Sequence, residues 1–271
     1  MQVLFSAVMG LVQGLSEFLP ISSSGHLLFA EKLLGLIGYN AANIKSLTVM
    51  LHVGTLIAVA AIFFKDWLDM LLHPIKNKTL LLLFIASLPA LFAVLLFGDI
   101  IDSTFTGWFL GPAFLITALL LCLAEYATSK GKHTISDVKM PNALIMGGFQ
   151  AVALLPGVSR SGSTLFGGVL SGLNRPVAAK FSFMMSAPAI LASFIVELKD
   201  VADAGELSTL FGVDILVGVL VAAVSGFLAI KYMLKLINKI SFYKFAVYVA
   251  VIGIITIVFQ LTGFAGFPAF K

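Results

Sequence analysis

Hydrophobic residues occur along this chain in long stretches, and the polar positions are gathered between them. Six stretches have the length of a membrane-crossing helix, which is about 20 residues. They lie at about 47–64, 79–98, 107–126, 178–197, 212–233 and 242–262. Because they are continuous rather than alternating, they predict helices and exclude the strands of a barrel. The pattern therefore predicts an all-α polytopic membrane protein.

Two further apolar segments, 2–37 and 141–172, are interrupted near their middles by proline, serine and glycine. The first break contains Pro20 and Ser22 to Gly25, and the second contains Pro156 and Ser159 to Gly162. Each piece beside a break is too short to cross a bilayer alone. The two segments predict re-entrant helical hairpins, added to the six full spans.

The two breaks are copies of each other, 137 positions apart. Ser22-Ser23-Ser24-Gly25 aligns with Ser159-Arg160-Ser161-Gly162, and Gln13 aligns with Gln150. Each break is followed by three spans, an odd number, so the second copy starts on the opposite side of the membrane. We expect one membrane domain, 1–271, with inverted repeat 1 at about 1–126, a linker at about 127–140 and inverted repeat 2 at about 141–262.

The composition confirms lipid as the solvent and narrows the function classes. Hydrophobic residues make up 60% of the 271 positions, charged residues only 11%, and the mean hydropathy is +1.08. The first 20 residues lack a basic n-region, so we expect no cleavable signal peptide. Cys122 is the single cysteine, which excludes an intrachain disulfide. The net charge of +4 is scattered through short loops, which favours membrane orientation and no nucleic-acid partner.

The loop charges predict the orientation. With residue 1 outside, 12 of the 17 Lys and Arg residues fall in inner segments and 4 in outer ones. The bias toward basic inner loops predicts that both termini and the 99–106 and 198–211 loops face outward. The 65–78, 127–140 and 234–241 loops then face the cytoplasm. The first hairpin enters from outside, the second from inside, and their tips meet.

Two charged residues, Glu17 and Arg160, lie deep in apolar sequence, one beside each break. Charges inside a membrane protein are costly and usually face a cavity or a partner. Gln13 and Glu17 are four apart and share a helical face, which suits a cation or a general base. The alternatives are a structural ion pair between the hairpins and, for Gln13, an interhelical hydrogen bond.

Both return helices begin with residues that favour anion binding. One set is Ser22, Ser23, Ser24 and Gly25; the other is Ser159, Ser161, Gly162, Ser163 and Thr164. Free amides at helix N-termini bind anions, although serine also serves as an ordinary N-cap. Arg160 adds a planar fork suited to phosphate oxygens. His26, on the first turn after Ser23, is a candidate base, acid or nucleophile, whereas His52 is expected to be a packing contact and His73 and His133 to be solvated.

The segment Gln13-Gly-Leu-Ser-Glu17-Phe-Leu-Pro-Ile-Ser-Ser-Ser-Gly-His26 resembles the first signature of the BacA-type undecaprenyl-diphosphate phosphatases, and Pro156-Gly-Val-Ser-Arg160-Ser-Gly-Ser-Thr164 resembles the second. The resemblance covers the whole chain. It implies hydrolysis of undecaprenyl diphosphate to the monophosphate carrier of cell-wall synthesis, bacitracin resistance, and a place in the bacterial plasma (inner) membrane with the site open to the outer, periplasmic side.

The resemblance also implies roles for particular residues. It places the family's functional positions on Glu17, Ser23, His26, Ser159, Arg160 and Thr164, and we expect Glu17, Ser23, His26 and Arg160 to be the catalytic ones. The residues expected to bind the diphosphate are Gln13, Ser22, Ser24, Gly25, Ser159, Ser161, Gly162, Ser163 and Thr164. It implies a divalent cation, Mg²⁺ or Ca²⁺, for which Glu17 is the candidate ligand. The first position of the family's (Glu/Gln)-x-x-x-Glu motif is Gln13 here, so a site with two carboxylates is in doubt. A homodimer is left open.

Three nucleophiles remain open at this stage. Ser23 is favoured, activated by His26 or Glu17; His26 itself or a water activated by Glu17 are the alternatives. Two other functions compete with hydrolysis by this family. Inverted repeats with broken helices also suit a transporter or lipid flippase. The type 2 phosphatidic acid phosphatases share a faint Ser-Gly-His likeness, but they need a histidine six residues after the arginine, where this chain has Phe166.

Overall fold

The computed structural model describes residues 2–37, 44–130 and 136–270. All regular structure in these ranges is helical, which confirms the predicted fold class. The middle of the expected linker, 131–135 with His133, lies outside the described residues, as do both terminal residues.

Eleven α-helices are found in the described ranges. They are α1 (Gln2–Phe18), α2 (Ser23–Gly35), α3 (Ile44–Ile62), α4 (Phe64–Leu72), α5 (Thr79–Thr104), α6 (Leu110–Lys130), α7 (Met140–Val152), α8 (Arg160–Leu170), α9 (Arg175–Asp203), α10 (Val213–Leu236) and α11 (Phe242–Thr262). Short 3₁₀ turns follow α9 and α11, at Leu207–Phe211 and Phe264–Gly266.

Five helices, α5, α6, α9, α10 and α11, are long and apolar enough to cross a membrane, and α3 with α4 makes a sixth if that bent pair counts as one span. Their outer faces are apolar as well as their packed faces. On α5, Leu95 is 71% exposed and Leu96 is 73% exposed. Side chains of this kind are stable at such exposure in lipid and not in water. The chain is therefore a multi-pass membrane protein.

The predicted 65–78 loop is wrong in part, because it contains helix α4. This helix leaves α3 at an angle of 73°. Phe64, Leu68 and Leu71 are exposed along it, and Lys180 Nζ on α9 lies 2.6 Å from Asp66 Oδ1 on its other side. An amphipathic helix with that division of sides suits a membrane interface. The charges of the segment made it resemble a loop, although their spacing is helical.

Both interrupted segments form two short helices joined at the predicted breaks. The helices have 17 and 13 residues in the first segment and 13 and 11 in the second. Each is shorter than the roughly 20 residues that a crossing needs. Their re-entrant course in the membrane stays a prediction.

The helix packing relates the two halves of the chain to each other. Helix α1 packs against α10 and α3 against α9, while α7 packs against α5 and α6 against α11. In the repeat, α1 corresponds to α7, α3 to α9, α5 to α10 and α6 to α11. When each helix is replaced by its counterpart, the pair α1–α10 becomes the pair α7–α5, and the pairs α3–α9 and α6–α11 are unchanged. The break of each half is thus held by a long helix from the other half. The inverted orientation of the halves stays a prediction.

Contacts between helix ends join segments that the charge pattern assigns to the same side. At the predicted outer end, Ser46 Oγ lies 2.7 Å from Thr209 Oγ1. At the predicted inner end, Arg175 Nη2 lies 2.9 Å from Glu125 Oε2. The grouping of loops into two ends thus agrees with the structure, and which end faces outward stays a prediction.

Candidate active site

The two breaks touch each other at their glycines. A Cβ atom on Gly25 would lie 2.7 Å from Phe114 Cζ and 2.9 Å from the Cα of Gly157. Gly157 itself has a φ of 96°, in the region that favours glycine. The Ser161 hydroxyl donates across the junction to the Leu19 carbonyl at 3.0 Å. Glycine is required here because any side chain would separate the two hairpins.

The two return helices begin in the same way. Ser22 caps α2, with its Oγ accepting from the Gly25 amide at 3.4 Å, and Ser159 caps α8, with its Oγ accepting from the Gly162 amide at 3.1 Å. The first residue after each cap is Ser23 in α2 and Arg160 in α8. A hydroxyl and a guanidinium thus occupy equivalent positions at two helix N-termini, where the helix dipoles favour an anion.

Glu17 joins these two positions. Its Oε2 accepts from the Ser23 hydroxyl at 2.5 Å and from Gln13 Nε2 at 3.1 Å, and its Oε1 accepts from Arg160 Nη2. The residue is only 7% exposed. Four predicted site residues from α1, α2 and α8 therefore form one hydrogen-bonded cluster. The Ser23 proton is directed at a carboxylate, which is the contact that a general base needs.

Arg160 Nη1 and Gln13 Oε1, on two of the side chains bonded to Glu17, are buried without a hydrogen-bond partner among the described residues, as are Gln150 Oε1 in α7 and Ser163 Oγ in α8. Each orphaned group costs about 1–3 kcal/mol. A structural ion pair alone would not explain the two orphaned atoms on the partners of Glu17. Arg160 Nη1 is a donor suited to phosphate oxygen, and Gln13 Oε1 is an acceptor suited to a cation or water.

His26 is turned away from Ser23. Its Nδ1 donates to the Ser22 carbonyl at 2.7 Å, which leaves Nε2 to accept from the Tyr248 hydroxyl at 3.0 Å. The rings of His26 and Tyr248 stack at 5.6 Å. Among the described residues, neither ring nitrogen contacts Ser23 or Glu17. The Ser23 hydroxyl thus donates to Glu17 and not to His26 in this structure, and which of the two residues acts as its base stays a prediction.

The contacts of His26 support the backbone of the first break. Ser22 has a φ of 75°, which is uncommon for a residue with a side chain. Its carbonyl oxygen accepts from both the backbone amide and the Nδ1 of His26. That pair of bonds holds the Ser22 peptide in place and so directs Ser23 toward Glu17.

Other predicted site residues have partners within the breaks. The Thr164 hydroxyl donates to the Arg160 carbonyl at 2.8 Å and lies 2.6 Å from Ser182 Oγ on α9. The hydroxyls of Ser159 and Ser161 lie 3.2 Å apart, and those of Ser22 and Ser24 3.5 Å apart. These residues shape the breaks; their predicted phosphate contacts stay predictions.

Sequence reasoning missed three polar positions around the site. The Thr117 hydroxyl on α6 donates to the Gly157 carbonyl and accepts from the Ser159 amide, both at 2.8 Å. Tyr248 on α11 holds His26. His52, expected to be a packing contact, pairs with Glu197, with 3.2 Å from Nδ1 to Oε2. No local sequence pattern predicts these contacts, although a histidine inside an apolar span usually indicates a polar partner.

The oxygen atoms of the site determine which of the implied divalent cations it could hold. The described residues contain no group of three or more His, Cys, Asp or Glu side chains able to hold a metal. Glu17 and the orphaned Gln13 Oε1 supply two oxygens. That set fits Mg²⁺, which is commonly bound through one or two carboxylates with substrate phosphates and water as the other ligands. It does not fit Ca²⁺ held in a cage of six or more protein oxygens.

Comparisons with known proteins match nearly the whole chain. The profile of the family described as "Bacitracin resistance protein BacA" matches residues 6–255. The undecaprenyl-diphosphatase of Methanobrevibacter smithii is 37% identical, over 97% of this chain and 99% of that protein. The undecaprenyl-diphosphatase of Halothermothrix orenii is 38% identical, over 95% of this chain and 98% of that protein. That of Carboxydothermus hydrogenoformans is 37% identical, over 94% and 97%.

Proposed function

The chain belongs to the family of the bacitracin resistance protein BacA, and we propose that it hydrolyses undecaprenyl diphosphate to undecaprenyl phosphate and inorganic phosphate. It is a membrane-embedded hydrolase that acts on a phosphoric anhydride. The product is the lipid carrier used in cell-wall synthesis, and its recycling accounts for the bacitracin resistance associated with the family. The observation that carries the mechanism is the Ser23–Glu17–Arg160 cluster at two facing helix N-termini.

In the first step the Ser23 oxygen attacks the terminal phosphorus. A bond forms between Ser23 Oγ and phosphorus, and the bond between phosphorus and the bridging anhydride oxygen breaks. Undecaprenyl phosphate leaves with that oxygen, and the Ser23 proton passes to Glu17 Oε2, which already accepts it in a hydrogen bond. The product of this step is phosphoserine beside a protonated Glu17.

Arg160 stabilises the charge that develops during the transfer. Before attack, its Nη2 is engaged by Glu17 and its Nη1 has no partner among the described residues. When Glu17 takes up a proton it loses its charge, so the positive charge of Arg160 becomes available to the transferring phosphoryl group. The amides at the start of α2 and α8 act in the same direction.

In the second step water attacks the phosphoserine. The bond between phosphorus and Ser23 Oγ breaks, and Glu17 returns its proton to the serine oxygen. The water oxygen forms the new bond to phosphorus, and both protons of the attacking water stay on the released phosphate. Both Ser23 and Glu17 are then in their starting states. A Mg²⁺ ion, held by Glu17 and Gln13 with the diphosphate, supplies further neutralisation of phosphate charge when bound.

The setting of the reaction follows from the lipid substrate. The prenyl tail lies in lipid among the exposed apolar faces of the helices, so only the head group must be taken out of water. We place the protein in the bacterial plasma membrane, with its site open to the outer side because the first hairpin enters from there. The chain acts on a lipid and not on nucleic acid, and a homodimer is compatible with this scheme.

Phosphate release by the purified protein in detergent tests the proposal. Detergent leaves no second compartment, so a flippase without hydrolytic activity would release no phosphate from undecaprenyl diphosphate. We expect steady release that stops with chelator and returns with Mg²⁺. Ser23→Ala is expected to lose nearly all activity, whereas Ser103→Ala, which removes a hydroxyl bonded within the exposed end of α5, keeps it. No release by the wild-type protein would refute the function.

A further inference from the structure

A second pair of titratable residues lies between the halves of the chain, outside the cluster described above. His52 on α3 and Glu197 on α9 are joined by the 3.2 Å bond between Nδ1 and Oε2. The side chain of His52 is 17% exposed and that of Glu197 is 35% exposed. His52 lies within an apolar helix, where an ionisable side chain is costly in a membrane protein and usually marks a function. The reaction scheme above assigns it none.

His52 belongs to the same electrostatic environment as the reaction site. Helix α3 packs against α1, which carries Glu17, as well as against α9. The Glu17 carboxylate favours a positive charge on His52, and the Arg160 guanidinium opposes it. Only its Nδ1 is engaged by a described residue, namely Glu197. A carboxylate on Nδ1 fixes the orientation of an imidazole and stabilises its protonated form, leaving the Nε2 proton free to donate to another group.

The charges of the reaction site leave a need for a further cation. Glu17 and Arg160 neutralise each other in the resting state. The diphosphate head group carries at least two negative charges in a region removed from water. Desolvated charges require partners of opposite sign. The proposed mechanism assigns Arg160 to the transferring phosphate, and the cluster offers no further cationic side chain for the phosphate that remains on the lipid.

We propose that His52, oriented by Glu197, is a second cationic phosphate-binding residue of this site, and that it contacts the phosphate that stays attached to the prenyl chain. The inference rests on the proposed function for its substrate. Protonated His52 donates Nε2–H to an oxygen of this inner phosphate and keeps its proton throughout the reaction. Its charge offsets the charge that builds up on the leaving oxygen, and it makes the site prefer a diphosphate over a monophosphate.

The competing explanation is that the pair only fastens α3 to α9. The two explanations differ in what His52→Gln should do. Glutamine keeps an N–H donor for Glu197 but cannot carry a charge. A fastening role is therefore largely preserved in this variant, whereas a charge-dependent phosphate contact is lost. Glu197→Gln, in which the histidine keeps a partner without a charge, tests the positioning role separately.

The experiment measures binding of inorganic pyrophosphate and of orthophosphate to the full-length protein in detergent, by calorimetry, beside KM and kcat for undecaprenyl diphosphate. For His52→Gln we expect about tenfold or greater weakening of pyrophosphate binding, the size of a lost charge-assisted hydrogen bond. We expect the affinity of the same variant for orthophosphate to change less than about twofold. Its KM for undecaprenyl diphosphate should rise by a larger factor than its kcat falls. Glu197→Gln should act in the same direction with a smaller effect.

His73→Gln is the matched control, because His73 forms a similar pair with Asp69, at 3.1 Å, at the exposed C-terminal end of α4. It should leave both affinities unchanged. Unchanged pyrophosphate binding in His52→Gln would overturn the inference. So would equal weakening of both anions with a lowered unfolding temperature, which would establish the fastening role. If the wild-type protein binds pyrophosphate in this His52-dependent way but releases no phosphate, the phosphate-binding site stands and the proposed hydrolysis fails.

Discussion

Replacement of Arg160 by lysine separates catalysis from a structural ion pair, because the positive charge is kept. In the proposed mechanism the guanidinium uses different nitrogens for two contacts: Nη2 donates to Glu17, and Nη1, which has no partner among the described residues, donates to a phosphate oxygen. A lysine ammonium is a point charge on a flexible chain and cannot make these two contacts at once in the geometry of the planar guanidinium. We therefore expect Arg160→Lys to keep its contact with Glu17 and lose the phosphate contact.

The expected size follows from the loss of one donor to the transition state. Such a loss lowers kcat by about 10²–10³-fold, or about 2.7–4 kcal/mol. The assay is phosphate release from undecaprenyl diphosphate in detergent, with kcat and KM measured separately and the unfolding temperature recorded for each variant. Because the donor acts mainly in the transition state, kcat should fall more than KM rises.

Arg175→Lys supplies a matched control. The side chains of Arg160 and Arg175 are 15% and 16% exposed, and they pair with the glutamates Glu17 and Glu125, whose side chains are 6% and 16% exposed. Arg175 also donates to the Ile240 carbonyl at the other end of the helices, away from both breaks. This control should lose some stability and keep its turnover. Near-normal turnover by Arg160→Lys would refute the phosphate contact and leave a structural ion pair with Glu17.

Three further changes test other parts of the account. Single cysteines at Ser103 and Ser136, in a Cys122→Ser background, test orientation in intact cells: an impermeant reagent should label the first and not the second, and the reverse pattern would overturn the topology. Tyr248→Phe keeps the ring beside His26 but removes one hydrogen bond, so we expect kcat/KM to fall about 2- to 10-fold; a loss of 10³-fold would mean that the hydroxyl takes part in the reaction. Gly25→Ala forces a Cβ to within 2.9 Å of the Gly157 Cα and should lower both activity and unfolding temperature, whereas Gly98→Ala, with no atom within 4 Å, should change neither; equal behaviour of the two variants would mean that the breaks do not need to touch.

Much of the fold was predictable because lipid imposes a strong constraint on sequence. The length of each apolar run determines whether it spans, and the predicted span at 242–262 coincides with α11. The breaks were predictable because proline, serine and glycine interrupt otherwise apolar segments. The pairing of Glu17 with Arg160 was one of the alternatives that the sequence left open, since isolated charges in lipid usually face a cavity or a partner. In each case the cause lies within a few neighbouring residues.

The remaining features depend on partners that are distant in sequence. Tyr248 is 222 positions from His26 in the sequence. Its hydroxyl is bonded to Nε2 of His26, the histidine that the sequence suggested as a base for Ser23. His52 resembled a packing residue because its partner, Glu197, was counted with the outer loop charges. Such assignments depend on which helices pack together, and hydrophobic patterning does not specify this. Helix α4 was missed for a different reason, because its charged face outweighed its apolar one.

The central claim is that Ser23 attacks phosphorus with Glu17 as its base. It is tested most directly by rapid quench with undecaprenyl diphosphate labelled at the terminal phosphate. We predict a covalent label that survives acid, is lost in alkali, and maps to Ser23. It should be absent from Ser23→Ala, and it should form more slowly in Glu17→Gln and at a lower level in His26→Ala, in which Ser23 is less well held. An acid-labile label that persists in Ser23→Ala and disappears in His26→Ala, or turnover with no covalent label at all, would contradict the account.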